Sequence, residues 1–336
     1  MKYLKKFEVA SEYDAFKNSD DFILPNVSWI VASDTVMYGI SKTEEGDYKV
    51  LLMSKKDISG LTYNAVDLGL TSGRLWADKN VGAANPDDYG TYFAWGETTG
   101  FTYEGAKNIT AEQLCSILQP MIGNEITLTP DNIDAILAEI GIEGTDLTIT
   151  SITFTSEKAF SSDWSDYFDT TDGGNTFNKY TTDTLTVIEA SDDAASVNMG
   201  SDWRLPTIEE VEELADNTVI TYIDNNGVEH LNDGDIFDYF LNNCQTPGFK
   251  LTIKLTGTNG NYILIPLSSS FSDGCGSFYA ASVNLWTSLL NIYYKNHPGS
   301  YDNIDAHAHM WGLTISEDIS TPTTPRHAGI CVRGVK

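Results

Sequence analysis

The sequence is poor in basic residues and in long apolar runs. Only 20 of its 336 residues are lysine or arginine, against 48 aspartate or glutamate, so the formal net charge is −28 at pH 7. An acidic chain repels nucleic acid and anionic lipid, so we expect no nucleic-acid partner. No window resembles a membrane span, and the basic start is not followed by the apolar region of a signal peptide. We therefore expect a protein made and folded in a cytoplasm, without membrane insertion.

Cysteine is also scarce. The four cysteines are unclustered and form no Cys-x-x-Cys pair, which argues against a structural zinc site and predicts free, mostly buried thiols. In contrast, 41% of the residues are hydrophobic and 11% aromatic. That is ample material for a packed core, and it excludes wholesale disorder.

The charge divides the chain at about residue 60. Residues 1–60 carry eight lysines and ten acidic residues, and nearly all the excess negative charge lies beyond them. Apolar runs at 24–31 and 36–38, separated by a polar turn, predict a β-hairpin after an N-terminal helix. A helix and a hairpin bury too little surface to be stable alone, so they must pack on a copy of themselves, on the body or on a partner. We interpret residues 1–60 as an anchoring or oligomerisation segment.

Short strands and turns dominate the body, residues 61–336, but helical patterns interrupt them. A capping-box pattern starts at Thr110, and an N-cap followed by proline starts at Thr129. Two helices within a β-rich body indicate an insertion, which we place at about residues 101–157. A third helix is predicted after the capping box at Thr207. The sequence therefore predicts an α+β fold.

Several motifs of the body carry a resemblance to a known family. They are AVDLGL at 65–70, LWA at 75–77, NVGA at 80–83, DYGTYFAWGET at 88–98, DDAASVN at 192–198, WRLPT at 203–207, LWTS at 285–288 and VRGV at 332–335. These motifs resemble the Fibrobacter succinogenes major paralogous domain, common in proteins of gut Bacteroidetes and their phages, with Gly334 in place of the usual proline. The resemblance covers roughly residues 65–100 and 158–336, and it implies a C-type-lectin-like fold.

The N-terminal segment resembles the leader of many structural proteins of Bacteroides phages, including crAss-like phages. The resemblance rests on a lysine-rich start, an aromatic-spaced helix and the motif LPNVS at 24–28. It implies that other virion proteins bind residues 1–60, and it fits a virion component assembled in the host cytoplasm. The residues predicted to anchor the protein are Leu24, Pro25, Asn26, Val27 and Trp29.

Residues 204–207 also resemble a segment of the formylglycine-generating enzymes, which share this fold. Those enzymes need a close pair of reactive cysteines near the C-terminus, whereas Cys275 and Cys331 are far apart in the sequence. Pro206 and Thr207 equally fit the entry to a helix. We therefore predict a structural role for this segment, no enzymatic activity and no cofactor.

Two patterns could contribute metal ligands. His307 and His309 would share one face of a strand, and a trimer would bring six imidazoles to its axis. The glycine-rich loop at 169–178 offers aspartate and asparagine oxygens, the ligands that calcium prefers. Neither pattern closes a site by itself, so we predict no metal while leaving both open.

Ligand recognition in the resembled fold usually lies on the irregular C-terminal segment, here residues 291–311. Its aromatic rings offer flat faces for sugars or protein anchors, and its amides and carboxylates offer hydrogen bonds. The candidate ligand-binding residues are Tyr293, Tyr294, Asn296, His297, Tyr301, Asp302, Asn303, His307, His309 and Trp311. The motif tryptophans are predicted to be core; they are Trp76, Trp95, Trp203 and Trp286.

These patterns predict a virion structural protein, a head fibre or capsid decoration protein that displays a lectin-like domain to host-surface glycan or protein. A homo-oligomer, a dimer or a trimer, is expected. The alternatives are a tail fibre or receptor-binding protein, and a bacterial surface adhesin. A third alternative is an oxidoreductase related to the formylglycine-generating enzymes.

Overall fold

A computed structural model gives the architecture. It describes residues 23–24, 28–33, 35–42, 46–122, 127–140, 179–181, 184–243, 249–268, 278–279, 282–290, 307–315, 319–326 and 328–336. The fold is α+β, as predicted, and is mostly sheet with few helices. Neither the predicted N-terminal helix nor the loop at 169–178 lies within the described residues.

The strands and helices have the following bounds. The strands are β1 (Ile23–Leu24), β2 (Ser28–Ser33), β3 (Val36–Lys42), β4 (Tyr48–Ser54), β5 (Ala65–Asp67), β6 (Leu75–Ala77), β7 (Thr91–Phe93), β8 (Phe101–Ile109), β9 (Thr218–Asp224), β10 (Glu229–Leu231), β11 (Leu251–Gly257), β12 (Tyr262–Pro266), β13 (Phe278–Tyr279), β14 (Ser282–Leu290), β15 (His307–Thr314), β16 (Thr323–Pro325) and β17 (Ile330–Cys331). The helices are α1 (Ala111–Ile122), α2 (Ile133–Ile140), α3 (Ala194–Met199), α4 (Ile208–Asn217) and α5 (Gly234–Asn243).

The strands form one large sheet, one medium sheet and two small ones. The large sheet has nine strands in the order β16-β15-β14-β17-β7-β8-β4-β3-β2, and the medium sheet has four in the order β10-β9-β11-β12. The two-stranded sheets are β1-β13 and β5-β6. Neighbouring strands are antiparallel except β14 and β17, which run parallel.

The N-terminal strands belong to the large sheet. The predicted hairpin is present as β2 and β3, and β4 pairs with β8 from Tyr48 opposite Ile109 to Ser54 opposite Thr102. In addition, β1 pairs with β13. Of the three ways in which residues 1–60 could pack, the described strands therefore show packing on the body.

Helices α1 and α2 cover the face of β3 and β4 that is turned away from the centre of the protein. Their apolar side chains pack with those of the strands in a helix-side core, which includes Leu52, Leu114 and Ile133. At Thr110 the capping box is confirmed, because its N–H donates to the Gln113 side chain and its hydroxyl accepts from the Gln113 N–H. The helical region begins at Ala111 rather than at 101, because residues 101–109 are strand β8.

The opposite face of the large sheet packs on the four-stranded sheet through a central core. Leu51 and Met53 of β4 meet Ile253 and Leu255 of β11 there. Helix α4 closes the core with two buried apolar residues, Val211 and Leu214, and its predicted capping box from Thr207 to Glu210 is complete.

The motifs at 75–77 and 80–83 lie against the C-terminal segment. Buried Arg333 donates to the Asn80 side chain at 2.8 Å, to the Ala77 carbonyl at 2.9 Å and to the Leu264 carbonyl at 2.8 Å. A single side chain therefore joins the C-terminal segment to two others that are far away in the sequence, residues 77–80 and strand β12. The prediction that the four motif tryptophans are core is confirmed, because each is at most 5% exposed.

Candidate functional site

A cleft of about 590 Å³ lies where the large sheet meets the four-stranded sheet. Its volume is in the range of natural ligand sites. It is lined by Lys56, Asp57, Ile58, Leu61, Gly82, Ala83, Ala84, Asp87, Asp88, Tyr89, Gly90, Thr102, Tyr103, Glu104, Gly105, Asn225, Phe249 and Lys250. Segments far apart in the chain therefore build one concave surface.

A β-bulge in β8 forms one wall of the cleft. Tyr103 lies opposite Met53 and Gly105 lies opposite Leu52, so Glu104 is the extra residue. A bulge bends its strand and redirects side chains, and bulges are frequent beside functional sites. Gly105 permits this one, because its φ of 139° is a value that other residues rarely adopt.

The bulge places a buried carboxylate beside the cleft. The Glu104 side chain is only 2% exposed, and its Oε1 accepts from the Ser54 hydroxyl at 2.5 Å and from Lys56 Nζ at 2.7 Å. A buried charge is stable when it is paired and hydrogen-bonded in this way. The Lys56 side chain is 43% exposed, so the pair presents its ammonium group to the surface.

The loop at residues 87–90 contributes Tyr89, one of the aromatic residues of the cleft. The Tyr89 carbonyl accepts from the buried Asn80 amide at 2.9 Å and from the Cys331 thiol at 3.2 Å. Gly90 allows the tight turn, because its φ is 82° and a Cβ there would lie 2.5 Å from the Val81 carbonyl oxygen. These contacts hold the backbone of the loop at Tyr89 and Gly90.

Aromatic and charged groups line the cleft together. The rings of Tyr89 and Tyr103 lie 6.1 Å apart at 59°, and Phe249 is a third aromatic residue of the lining. Lys250 Nζ donates to Asp87 at 2.6 Å. Burial disfavours the charged form of Asp87, but the hydrogen bond and charge of Lys250 outweigh it and hold the pKa of this carboxyl below its usual range.

This arrangement suits reversible recognition of a polar ligand. The rings of Tyr89 and Tyr103 contribute apolar surface, the Tyr103 hydroxyl being buried, and the carboxylates, ammonium groups and Asn225 amide offer hydrogen bonds in several directions. Four carboxylates and two ammonium groups line the cleft, so its formal charge is negative. A neutral or cationic surface of a glycan or protein fits it better than an anionic one.

Most of the residues predicted from the sequence to bind a ligand lie outside the described residues. These are Tyr293, Tyr294, Asn296, His297, Tyr301, Asp302 and Asn303. Among the predicted anchoring residues, Pro25, Asn26 and Val27 also lie outside them. Leu24 of β1 pairs with Phe278 of β13. Trp29 lies in β2, an edge strand of the large sheet, and pairs with Gly39 of β3.

The structure places the last three predicted ligand-binding residues on β15. His307 and His309 are two residues apart on this strand, and the His309 ring is half-buried, with Nδ1 3.4 Å from the Thr321 carbonyl. Burial lowers the pKa of His309. Trp311 is 1% exposed and packs edge-to-face on Trp76, with ring centroids 6.0 Å apart. Trp311 is therefore part of the core and is removed from the set of surface candidates.

The described cysteines are buried thiols. Cys115 and Cys331 are free, and burial raises the pKa of Cys331 to about 12. Cys244 and Cys275 lie outside the described residues. Arg204 forms a two-pronged ion pair with Glu210 in the first turn of α4, at 2.5 and 2.8 Å, which agrees with the predicted structural role of residues 204–207.

The described residues contain neither a metal-binding cluster nor a membrane-spanning helix. No group of three or more histidine, cysteine, aspartate or glutamate side chains is positioned to hold a metal ion there. In the same residues, no helix is long and apolar enough to cross a membrane.

The sequence did not reveal the cleft. Lys56 and Asp57 fell in the predicted anchor, Tyr89 in the motif at 88–98, Tyr103 in the predicted insertion and Lys250 in none of the motifs. The available signal was the acidic-aromatic run at 87–89 beside Gly90, although Tyr89 of this run also packs against the central core.

Comparison with known proteins yields no relative. The chain matches no family model, no curated protein and no solved structure.

Proposed function

We propose that this chain is a non-enzymatic structural protein of a phage particle that displays a C-type-lectin-like domain for binding host-surface glycan or protein. Within this proposal it is a head fibre or capsid decoration protein, and residues 1–60 join it to other virion proteins. The placement in a virion rests on the resemblance of the N-terminal segment to phage structural proteins and of the body to the Fibrobacter succinogenes major paralogous domain.

The observation that carries the binding role is the cleft between the two sheets. It combines a tyrosine pair, an ion pair between buried Glu104 and exposed Lys56 at a β-bulge, and a loop held by Asn80 and Cys331. A preformed concave surface with few, well-held polar groups is what a recognition domain requires. The negative body suits display in many copies, because like charges keep crowded neighbours apart.

Immunogold electron microscopy of purified particles tests the placement, with an antibody raised against residues 61–336. We expect label around the head. Label at the tail would instead favour a tail fibre or receptor-binding protein. Particles without label would contradict the virion proposal and favour a bacterial surface adhesin.

A further inference from the structure

Strand β2 is an edge of the nine-stranded sheet, and among the described residues no strand pairs with its outer side. Its six residues, Ser28–Ser33, include no charged residue and no proline. Natural proteins usually protect edge strands with short length, charge, proline or a covering element, because an open edge pairs with other strands. The uncharged edge of β2 is therefore able to pair with a further strand.

The other edges of the two larger sheets are protected. At the far end of the large sheet, β16 has three residues and ends in Pro325. In the four-stranded sheet, β10 has three residues and begins with Glu229. The opposite edge, β12, ends in Pro266, and Arg333 occupies the outward carbonyl of Leu264.

The backbone of β2 is arranged for further pairing. It pairs with β3 from Ser28 opposite Ile40 to Val31 opposite Met37, with an irregularity only between Val31 and Ser33. In an antiparallel strand every second residue directs its N–H and C=O away from the neighbour already paired. On that outer side, the described part of the chain places no strand.

The charge distribution indicates what pairs there. Residues 1–60 carry eight basic and ten acidic residues, so the segment that contains β2 is close to neutral, whereas the body carries almost the whole net charge of −28. Two copies that approach through their bodies repel each other. They meet with the least repulsion through β2. An identical strand in each copy can pair antiparallel about a two-fold axis, so the contact is self-complementary.

We propose that two copies of this chain dimerise through antiparallel pairing of β2 with β2, so that the large sheet continues across the interface. The interface does not depend on the proposed function. A chain without this dimer could still bind a ligand in the cleft, and a chain without the ligand could still form the dimer.

Sedimentation velocity over a range of concentrations tests the interface with two charged double variants of the full chain. One is Ser28→Lys with Ser33→Lys, and the other is Ser28→Glu with Ser33→Glu. Antiparallel pairing brings the start of one strand close to the end of the other, so each variant alone sets like charges against each other. We expect the dimer Kd of each to rise by on the order of tenfold. An equimolar mixture should restore the wild-type Kd, because opposite charges then meet.

Several results would overturn the proposal. A wild-type chain that stays monomeric would do so, as would double variants that dimerise like wild type or a mixture that fails to recover. If a variant loses its circular-dichroism spectrum, hydrogen exchange of the wild-type chain decides instead. The amides of β2 should exchange more slowly as protein concentration rises, and exchange independent of concentration would refute the dimer.

Discussion

Strands β4 and β11 lie on opposite sides of the same central core, yet their surroundings differ. β4 reads YKVLLMS and is buried at every position except the last, because helices α1 and α2 cover its second face. β11 reads LTIKLTG, and Lys254 and Thr256 on its second face are only half-buried. In the row through Thr256, Val219 and Tyr262 are 65% and 50% exposed. A continuous apolar strand thus indicates two covered faces, and an alternating strand indicates one.

This difference explains why the N-terminal segment is not a free-standing unit. A strand that is apolar on both faces needs a partner on each. For β4, the central core supplies one and the helix-side core supplies the other. The segment predicted as an anchor and the helices predicted as an insertion therefore complete each other.

The largest expected effect comes from Leu52 on the covered face, compared with Leu264 on the open face. Leu52 is 3% exposed in the helix-side core, whereas Leu264 on β12 is half-buried. Leu52→Ala should destabilise the protein by about 2–5 kcal/mol, because it leaves a cavity between sheet and helices. Leu264→Ala, the matched control, should cost less than about 1.5 kcal/mol. Urea unfolding of both variants measures the difference.

Equal losses for the two leucine variants would break the comparison. They would mean that the face of β4 covered by α1 and α2 is no better buried than the open face of β12.

A smaller effect is expected from pH, because the open sheet carries a buried carboxylate at the end of β9. Burial raises the energy of charged Asp224, but hydrogen bonds from the Tyr239 hydroxyl and from the N–H groups of Val228 and Asn226 outweigh it and lower its pKa to about 2. Its stabilisation is therefore complete above the ordinary value of 3.8 and is lost as pH falls towards 2. Asp224→Asn should cost on the order of 2 kcal/mol at pH 7.

Unfolding of the Asp224→Asn variant and of wild type between pH 7 and pH 2 checks this assignment. The difference in unfolding free energy should disappear near the pKa of about 2. Leu52→Ala, which removes no titrating group, should cost the same across the range. A difference for Asp224→Asn that does not change with pH would refute the assigned role of its charge.

Local patterns predicted the local structure well. The capping boxes at Thr110 and Thr207 marked the starts of α1 and α4, and the apolar runs at 24–31 and 36–38 marked the hairpin of β2 and β3. Pairing between distant strands left no comparable mark. β8 was assigned to the insertion, because nothing near residue 101 indicates that its partner lies 50 residues earlier in the chain.

The candidate site was less predictable for the same reason. The cleft exists only once β4 pairs with β8 and the four-stranded sheet packs beside them, so no single stretch contains it. Trp311 shows the reverse error. Its aromatic neighbourhood suggested a binding surface, but alternation along β15 puts it with Leu313 in the central core.

Binding of the full chain to intact Bacteroides cells tests the cleft at the junction of the two sheets most directly. Asp57→Ala with Asn225→Ala removes one exposed polar group from each side of the cleft. Asp202→Ala with Asn226→Ala is the matched control, because those exposed residues lie outside the lining. Losing two hydrogen-bonding groups should weaken binding on the order of tenfold, and the control should bind as wild type does.

The contradicting result is equally specific. If the cleft variant binds the cells like wild type while Tyr293→Ala with Tyr294→Ala abolishes binding, the ligand site lies on the C-terminal segment and not in the cleft.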